Sequence, residues 1–543
     1  MFSVAYVFIL ALFVSTVLVP LLVKVAEPLG MVDVPSDRKV HREVVPRIGG
    51  IAIIAGALLP LLLWLPPHPQ LQAYLAAVAV LAVFGILDDR FDLDYRLKFL
   101  GQFAAVMIVV VFGDLVIRRF PFLDDGVFLP DAVAVPLTIF FVMGVTNAVN
   151  LSDGLDGLAG GTSVIAVGAL GLLAYRSEHM EVLMVSMAII GATLGFLRYN
   201  THPARVFMGD SGSQFLGFSA AVLAITVCGL PDCITSPVVP LLILGVPIMD
   251  TLTVMVRRVL DGRSPFSADR MHIHHKLLDR GFSQYEAVVL IYGVQLLLAL
   301  VAVVFAYASD MELLLFYAVF VIASIALLRV ARNKGWDALG WHQKDSPVNM
   351  LVGYFRHSRA LTRVTYGVLE VLVPLFLVGG ALLADVVERD FGLYALAGVV
   401  VLMAGLLSRW LPVFPLLRLV SFLAAAFVAY LLEAGNALPP QCDTCLHAFY
   451  VLMALLVAVW VRLSDEREFH ANALDYLIVG IVFLVPNLPF FGEGRSLVGL
   501  VAIEVVILFY AIEVLISKMA SRWSLLSIGV VSSLALIAIK GLL

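Results

Sequence analysis

Asn147-Ala148-Val149-Asn150-Leu151-Ser152-Asp153-Gly154-Leu155-Asp156-Gly157-Leu158-Ala159-Gly160-Gly161 lies between two strongly apolar segments, residues 133–145 and 162–174. Asn147, Asn150, Asp153 and Asp156 recur at every third position. A helical turn would bring them together, with a slow angular drift. Gly154, Gly157, Gly160 and Gly161 lie among them, leaving room for a ligand or a second backbone to come close. Amides and carboxylates at the end of an apolar helix are costly unless something polar binds there. An acidic surface turn would need only one or two such residues, so the stretch reads as a binding site.

That reading needs a membrane chain, and the composition supplies one. Of 543 residues, 62% are hydrophobic and 14% charged, whereas a soluble domain is about half apolar and a quarter charged. Mean hydropathy is +1.01. The net charge of −5 is spread over the loops and marks no nucleic-acid surface. Residues 2–23 form an apolar run with no basic residue before it and no small-residue cleavage pattern. It is expected to stay as the first span. The expected fold class is an all-α, polytopic integral membrane protein.

Apolar runs of spanning length predict about eleven helices up to residue 330. They fall near 3–24, 48–65, 72–87, 99–113, 133–148, 159–175, 181–197, 212–230, 238–256, 286–306 and 311–328. A polar linker, 331–362, separates this first domain, 1–330, from a second region, 363–543. There, about seven more runs are expected, near 364–386, 391–408, 415–433, 448–462, 474–491, 497–517 and 523–541. Alternate loops carry the basic residues, from Lys24, Arg38 and Lys39 through Arg90, Arg198 and Arg257 to Arg329; the others carry only Arg118, Arg119 and Arg176. The basic loops are therefore expected in the cytoplasm, with the N-terminus outside.

This topology puts four polar clusters on one membrane face, the opening stretch among them. They are Asp88-Asp89-Arg90, Phe207-Met208-Gly209-Asp210-Ser211-Gly212-Ser213, Arg270-Met271-His272-Ile273-His274-His275-Lys276, and the stretch's own Asn and Asp residues. Each alone has an ordinary reading as a solvated cap, a glycine turn or a zinc pair of the wrong spacing. Together they set hard oxygen ligands suited to Mg²⁺ against cationic or donor groups that could clamp a diphosphate. Such a face suits phosphoryl or phosphoglycosyl transfer better than amide hydrolysis.

The ordered motifs, with Asp37-Arg38-Lys39-Val40-His41 and Pro46-Arg47-Ile48-Gly49-Gly50 upstream, resemble those of the bacterial polyprenyl-phosphate N-acetylhexosamine-1-phosphate transferases (glycosyltransferase family 4). The resemblance covers about residues 1–330. It implies transfer of a sugar 1-phosphate from a UDP-N-acetylhexosamine to polyprenyl (undecaprenyl) phosphate, with release of UMP. It also implies a Mg²⁺ cofactor, Mn²⁺ being the substitute, and a bacterial cytoplasmic membrane with the active site on the cytoplasmic face.

Segment 264–275 is similar to the branch that uses UDP-GlcNAc and begins O-antigen, lipopolysaccharide or other cell-envelope polysaccharide assembly. The alternative within the family is the UDP-MurNAc-pentapeptide phosphotransferase of peptidoglycan synthesis, which has three consecutive histidines where Ile273 intervenes here. By resemblance, Asp210 and Asn150 serve the metal; Asp88, assisted by Asp89, activates the lipid phosphate; and Asp153 and Asp156 hold the nucleotide and support the metal site. Asn147, Arg270, His272, His274, His275, Lys39, His41 and Arg47 are the implied substrate contacts. Direct displacement and a covalent aspartyl intermediate are both compatible with adjacent aspartates.

A transporter or flippase is the alternative of a different class, but such sites tend to lie at the bilayer midplane between repeated halves. No repeat relates the two regions of this chain, and a homodimer is a candidate assembly. Cys228 with Cys233, and Cys442 with Cys445, fall in outside loops, where disulfides and free thiols are both open.

Overall fold

A computed structural model describes residues 2–34, 44–123, 127–229, 235–264, 271–333, 359–408, 413–434, 440–463, 495–519 and 521–543. Lys39, His41, Arg270 and Cys233 fall outside these ranges, as does the expected span 474–491; of the Cys442 side chain nothing is described. The chain is all-α apart from one two-stranded ribbon. Thirteen helices among the described residues are long and apolar enough to cross a membrane. It is a multi-pass membrane protein. It divides into two compact units, one holding the described residues through Asn333 and the other those from Arg359.

The first unit begins with α1 (Phe2–Ala26), then strands β1 (Val32–Asp33) and β2 (Val45–Pro46), which pair antiparallel with Val32 opposite Pro46. Helices α2 (Gly49–Trp64), α3 (Pro69–Phe91), α4 (Tyr95–Gly113), α5 (Asp131–Ser152), α6 (Leu158–Arg176), α7 (Met180–Asn200) and α8 (Gly209–Gly229) follow. The hydrophobic windows of α6 and α8 are 83% and 89% buried in the protein, so these two form the centre and the others shield them. α8 can occupy the middle because glycine, serine and alanine recur along it and several of its polar side chains are buried and bonded. Ser219, for example, shares a 2.8 Å hydrogen bond with the Tyr74 hydroxyl of α3.

The span expected at 238–256 is broken. Its two pieces are α9 (Val239–Ile243) and α10 (Gly245–Leu260). Pro240, Gly245 and Pro247 explain the break, since proline withholds a donor and glycine weakens a helix interior. The backbone groups freed at the break still find partners: Gln295 donates to the Ile243 carbonyl at 2.5 Å and accepts from the Val246 N–H at 3.3 Å, and Tyr317 donates to the Gly245 carbonyl at 2.9 Å. Buried in a membrane protein, such groups would be expensive unpaired. A short α11 (Ile273–Leu278), α12 (Gln284–Val304) and α13 (Asp310–Asn333) complete the unit. Gln295 lies on α12 and Tyr317 on α13, which is how these helices hold the break in place.

The second unit contains α14 (Arg359–Leu383), α15 (Arg389–Leu407), α16 (Val413–Ala434), α17 (Pro440–Leu463), α18 (Arg495–Ser517) and α19 (Leu525–Leu542). α17 starts eight residues before the expected 448. One apolar core joins the six, with Leu377, Leu402, Val428, Trp460, Ile512 and Leu534 wholly buried. Polar ties are few. Arg418 grips Glu513 with two 2.7 Å hydrogen bonds, and Lys540 caps the end of α14 through the Leu382 and Ala384 carbonyls.

Candidate active site

Helices of alternating direction present the same end of the first unit: the last turns of α3 and α5 and the first turns of α4, α6 and α8. The expected motifs lie at these ends. Asp88 and Asp89 occupy the last turn of α3, yet they do different things. Both oxygens of Asp89 are used by α8: Oδ1 accepts the Asp210 N–H at 2.6 Å, while Oδ2 accepts the Ser211 N–H at 3.1 Å and its hydroxyl at 2.7 Å. A carboxylate there satisfies orphan amides and complements the positive end of the helix dipole. Gly209 has φ +67°, and a Cβ on it would overlap the Asp89 carboxylate. The Gly-Asp-Ser-Gly motif is thus shaped to receive Asp89.

Asp88 faces the cleft. Its Oδ1 accepts the Leu93 N–H at 2.8 Å, and its Oδ2 lies 2.6 Å from Lys98 Nζ. The same ammonium lies 3.0 Å from Asp210 Oδ2. Asn150 closes the other side, its amide 3.2 Å from Asp210 Oδ1 and 2.7 Å from the Ser213 hydroxyl. Asn147, one turn earlier, is exchanged for local order: it donates to Gln102 at 2.7 Å and to the Met143 carbonyl at 2.7 Å.

The three-residue spacing does not continue as one helix. α5 ends at Ser152, and Gly157, with φ +81°, starts a new direction into α6. Asp153 therefore stays beside the cleft, whereas Asp156 turns to the loop after α7, 2.7 Å from the His202 ring and 3.1 Å from the Ala204 N–H. Asn200 and Tyr292 fix the turn between them: Asn200 accepts the Gly157 N–H at 3.0 Å, and Tyr292 donates to the Gly157 carbonyl at 2.6 Å. Burial pushes the Asp153 carboxyl up to about 7, reinforced by the charges of Asp210, Asp156 and Asp89. The cluster thus carries more negative charge than Lys98 and Arg47 balance, and its oxygens fit a hard divalent cation. Asp210, with Asp88 across from it and Asn150 beside it, would hold such an ion.

The histidines line this turn. His274 is buried, and a Cβ on Gly154 would overlap its ring. His272 and His274 stack with centroids 5.8 Å apart, and His275 lies 4.3 Å from His274. Burial, followed by the charge of His275, lowers His274 to about 4, so near neutrality it is an uncharged hydrogen-bonding group and not a cation. His272 Nδ1 lies 2.9 Å from Asp250 Oδ2, and Asp250 Oδ1 accepts the Ile273 N–H at 2.8 Å.

Arg47 sits further out. It pairs with Asp33 at 2.5 Å and reaches Asp92 at 3.5 Å, while its backbone, just after β2, forms an isolated parallel bridge with Phe207. Phe207 donates to the Pro46 carbonyl at 2.8 Å, and Gly49 and Gly50 donate to the Phe207 and Met208 carbonyls at 2.9 Å. The Pro-Arg-Ile-Gly-Gly and Phe-Met-Gly-Asp motifs are two halves of one backbone joint.

Sequence reasoning passed over Asp250, Asn200 and Tyr292, and it counted Lys98 only among basic neighbours. Asp250 carried a usable signal, since an acidic residue inside an apolar run marks function or pairing. Asn200 and Tyr292 carried none, because their partners are backbone groups distant in sequence.

These helices, and the polar residues gathered at their ends, make up the candidate site of a multi-pass membrane protein. Residues 71–228 match the family model described as glycosyl transferase family 4. The chain is 39% identical over 309 residues to a probable undecaprenyl-phosphate N-acetylglucosaminyl 1-phosphate transferase of Bacillus subtilis (strain 168), covering 56% of this chain and 85% of that protein. It is 36% identical over 296 residues to an undecaprenyl-phosphate alpha-N-acetylglucosaminyl 1-phosphate transferase of Escherichia coli (strain K12), covering 52% and 79%. A Yersinia pestis protein described in the same words is 35% identical over 290 residues, covering 52% and 78%. The chain belongs to glycosyl transferase family 4.

Proposed function

We propose that the protein transfers N-acetylhexosamine 1-phosphate, specifically GlcNAc 1-phosphate, from a UDP-sugar to a polyprenyl phosphate. The products are UMP and a polyprenyl-diphosphate sugar that begins a cell-envelope polysaccharide. The observation that carries this reading is the Asp88–Lys98–Asp210 bridge at the helix ends, with the buried His274 ring packed on Gly154 of the adjoining turn. A Mg²⁺ ion held by Asp210 and Asn150 would neutralise diphosphate charge and polarise the bond to be broken.

The chain's own groups would do the rest. Asp88 binds the lipid phosphate or takes its proton, so that a phosphate oxygen attacks the β-phosphorus while the bond from that phosphorus to the UMP oxygen breaks. Lys98 holds Asp88 and Asp210 at a fixed separation and offsets charge gathering between them. Asp153 contributes oxygens to the nucleotide and metal side of the cleft. His272 and His274 donate hydrogen bonds to the diphosphate, and Asp250 keeps their loop on the Asp153-Gly154 turn. Asp89 acts on structure, aiming Asp210 through the first turn of α8.

Alternation of basic loops supports a cytoplasmic position for this end of the helices, the side on which UDP-sugars are available. The test is UMP release from UDP-GlcNAc by purified protein with polyprenyl phosphate. Wild type should need Mg²⁺, lose activity to a chelator and regain it on readdition. Asp210→Asn and Asp88→Asn should each abolish release. Chelator-resistant release, or full activity in Asp210→Asn, would overturn the assignment.

A further inference from the structure

The second unit has its own convergence of ligating groups, and nothing in the transferase reading uses it. Glu433 ends α16, His447 lies early in α17, and Glu504 lies within α18. One ligating atom from each comes within 4.8 Å of the others. Glu504 is 2% exposed, and neither of its carboxylate oxygens has a hydrogen-bond partner. His447 Nε2 and the Tyr450 hydroxyl are likewise buried and unpartnered. The charged neighbour of Glu504 is a second carboxylate, Glu433, and Tyr450 lies beside both.

This arrangement is costly as it stands. A buried polar group left unpaired is destabilising, and a carboxylate more so. Like charges add repulsion. The same two helices, α16 and α18, solve the problem elsewhere along their length by pairing Arg418 with Glu513 at 2.7 Å. Among the described residues, the groups acting on Glu504 are Glu433 and Tyr450, with no arginine or lysine. A bound cation would supply the missing positive charge.

We propose that Glu433, His447 and Glu504 bind one divalent transition-metal ion in the second unit. Two carboxylates and an imidazole suit Zn²⁺ and its neighbours in the first transition row, with a fourth position left to water. A hard ion such as Mg²⁺ would not select the imidazole. Ligand distances of about 2.0–2.2 Å need only side-chain rotation to draw the three atoms inward. Glu433 and His447 are partly accessible, which gives the ion a way in, and the wholly buried Glu504 forms the floor. Tyr450 then donates its hydroxyl to a bound carboxylate, as groups behind metal ligands commonly do. The ion would fasten α16, α17 and α18 to one another.

Co²⁺ is the probe, because its visible ligand-field absorption reports coordination. Full-length protein in detergent is stripped with chelator, returned to excess Mg²⁺ to fill the oxygen-rich cleft of the first unit, and titrated with Co²⁺. Wild type and Asp210→Asn should each bind one Co²⁺ per chain, displaced by Zn²⁺. Glu504→Gln and His447→Gln should weaken binding at least roughly tenfold, and Tyr450→Phe by about tenfold. Zn²⁺ should raise the melting temperature of wild type and leave that of Glu504→Gln unchanged. If Glu504→Gln does not fold, His447→Gln, altered at a partly exposed position, carries the comparison. Absence of Co²⁺ binding in wild type, binding lost in Asp210→Asn, or unchanged binding in His447→Gln would each overturn the proposal. None of these outcomes bears on UMP release, so the two assignments fail separately.

Discussion

Asp250 shows how one carboxylate can govern a loop it does not belong to. It is buried, and it holds both the His272 ring and the Ile273 N–H. Asp250→Asn keeps the shape but replaces an ionic acceptor by an amide. A hydrogen bond to a charged group contributes about 1.5–3 kcal/mol, so UMP release should fall roughly ten- to hundredfold without loss of monodisperse protein on size exclusion. His274 makes a second prediction, in pH. Its value is lowered from 6.5 to about 4, so the folded state resists protonation more than the unfolded one. Its contribution to stability is therefore complete above 6.5 and lost as pH falls toward 4. Melting temperature measured from pH 8 to pH 4 should drop across that window in wild type, and less steeply in His274→Gln.

At the scale of elements, the site is a set of helix ends, and the connections between them decide its geometry. Gly154 has no room for a side chain against His274, whereas nothing lies within 4 Å of a Cβ placed on Gly144 of the same helix–turn segment. Gly154→Ala should displace the histidine loop and cut UMP release at least roughly tenfold, and Gly144→Ala should leave it unchanged. Initial rates on the two variants decide the matter. Most helices were legible because a membrane span must be apolar throughout, and a run of that kind can be read residue by residue. The break at Leu244 was less so: prolines and a glycine were visible, but the side chains that make the break tolerable, Gln295 and Tyr317, come from spans read only as apolar. The aspartates were legible as a group because charge is rare in such a sequence. Their division of labour was not, since whether a carboxylate meets a helix end, like Asp89, or an ammonium, like Asp88, depends on tertiary neighbours.

For the whole molecule, the relatives quoted above align with little more than half of this chain, while this chain spans 78–85% of them. The unit through Asn333 contains every described residue of the candidate active site. A chain truncated after residue 333 should thus retain Mg²⁺-dependent UMP release, within about threefold of full length. Assay in the same detergent and lipid checks this, and a complete loss would assign the second unit a part in the reaction. The bond between Asp89 and the start of α8 also bears on biogenesis. Its partners are separated by 121 residues of chain. At about 5–20 residues per second, the amides that Asp89 needs leave the ribosome some 6–24 s after it does. Throughout that interval α3 must reside in the bilayer with Asp89 unsatisfied, whereas the Leu93 and Lys98 partners of Asp88 follow it within ten residues. Stationed at the boundary, Asp89 can remain hydrated until α8 arrives; stationed at the middle, it would oppose release of the nascent span into lipid. The position that serves the chemistry is also the one that lets the protein be made.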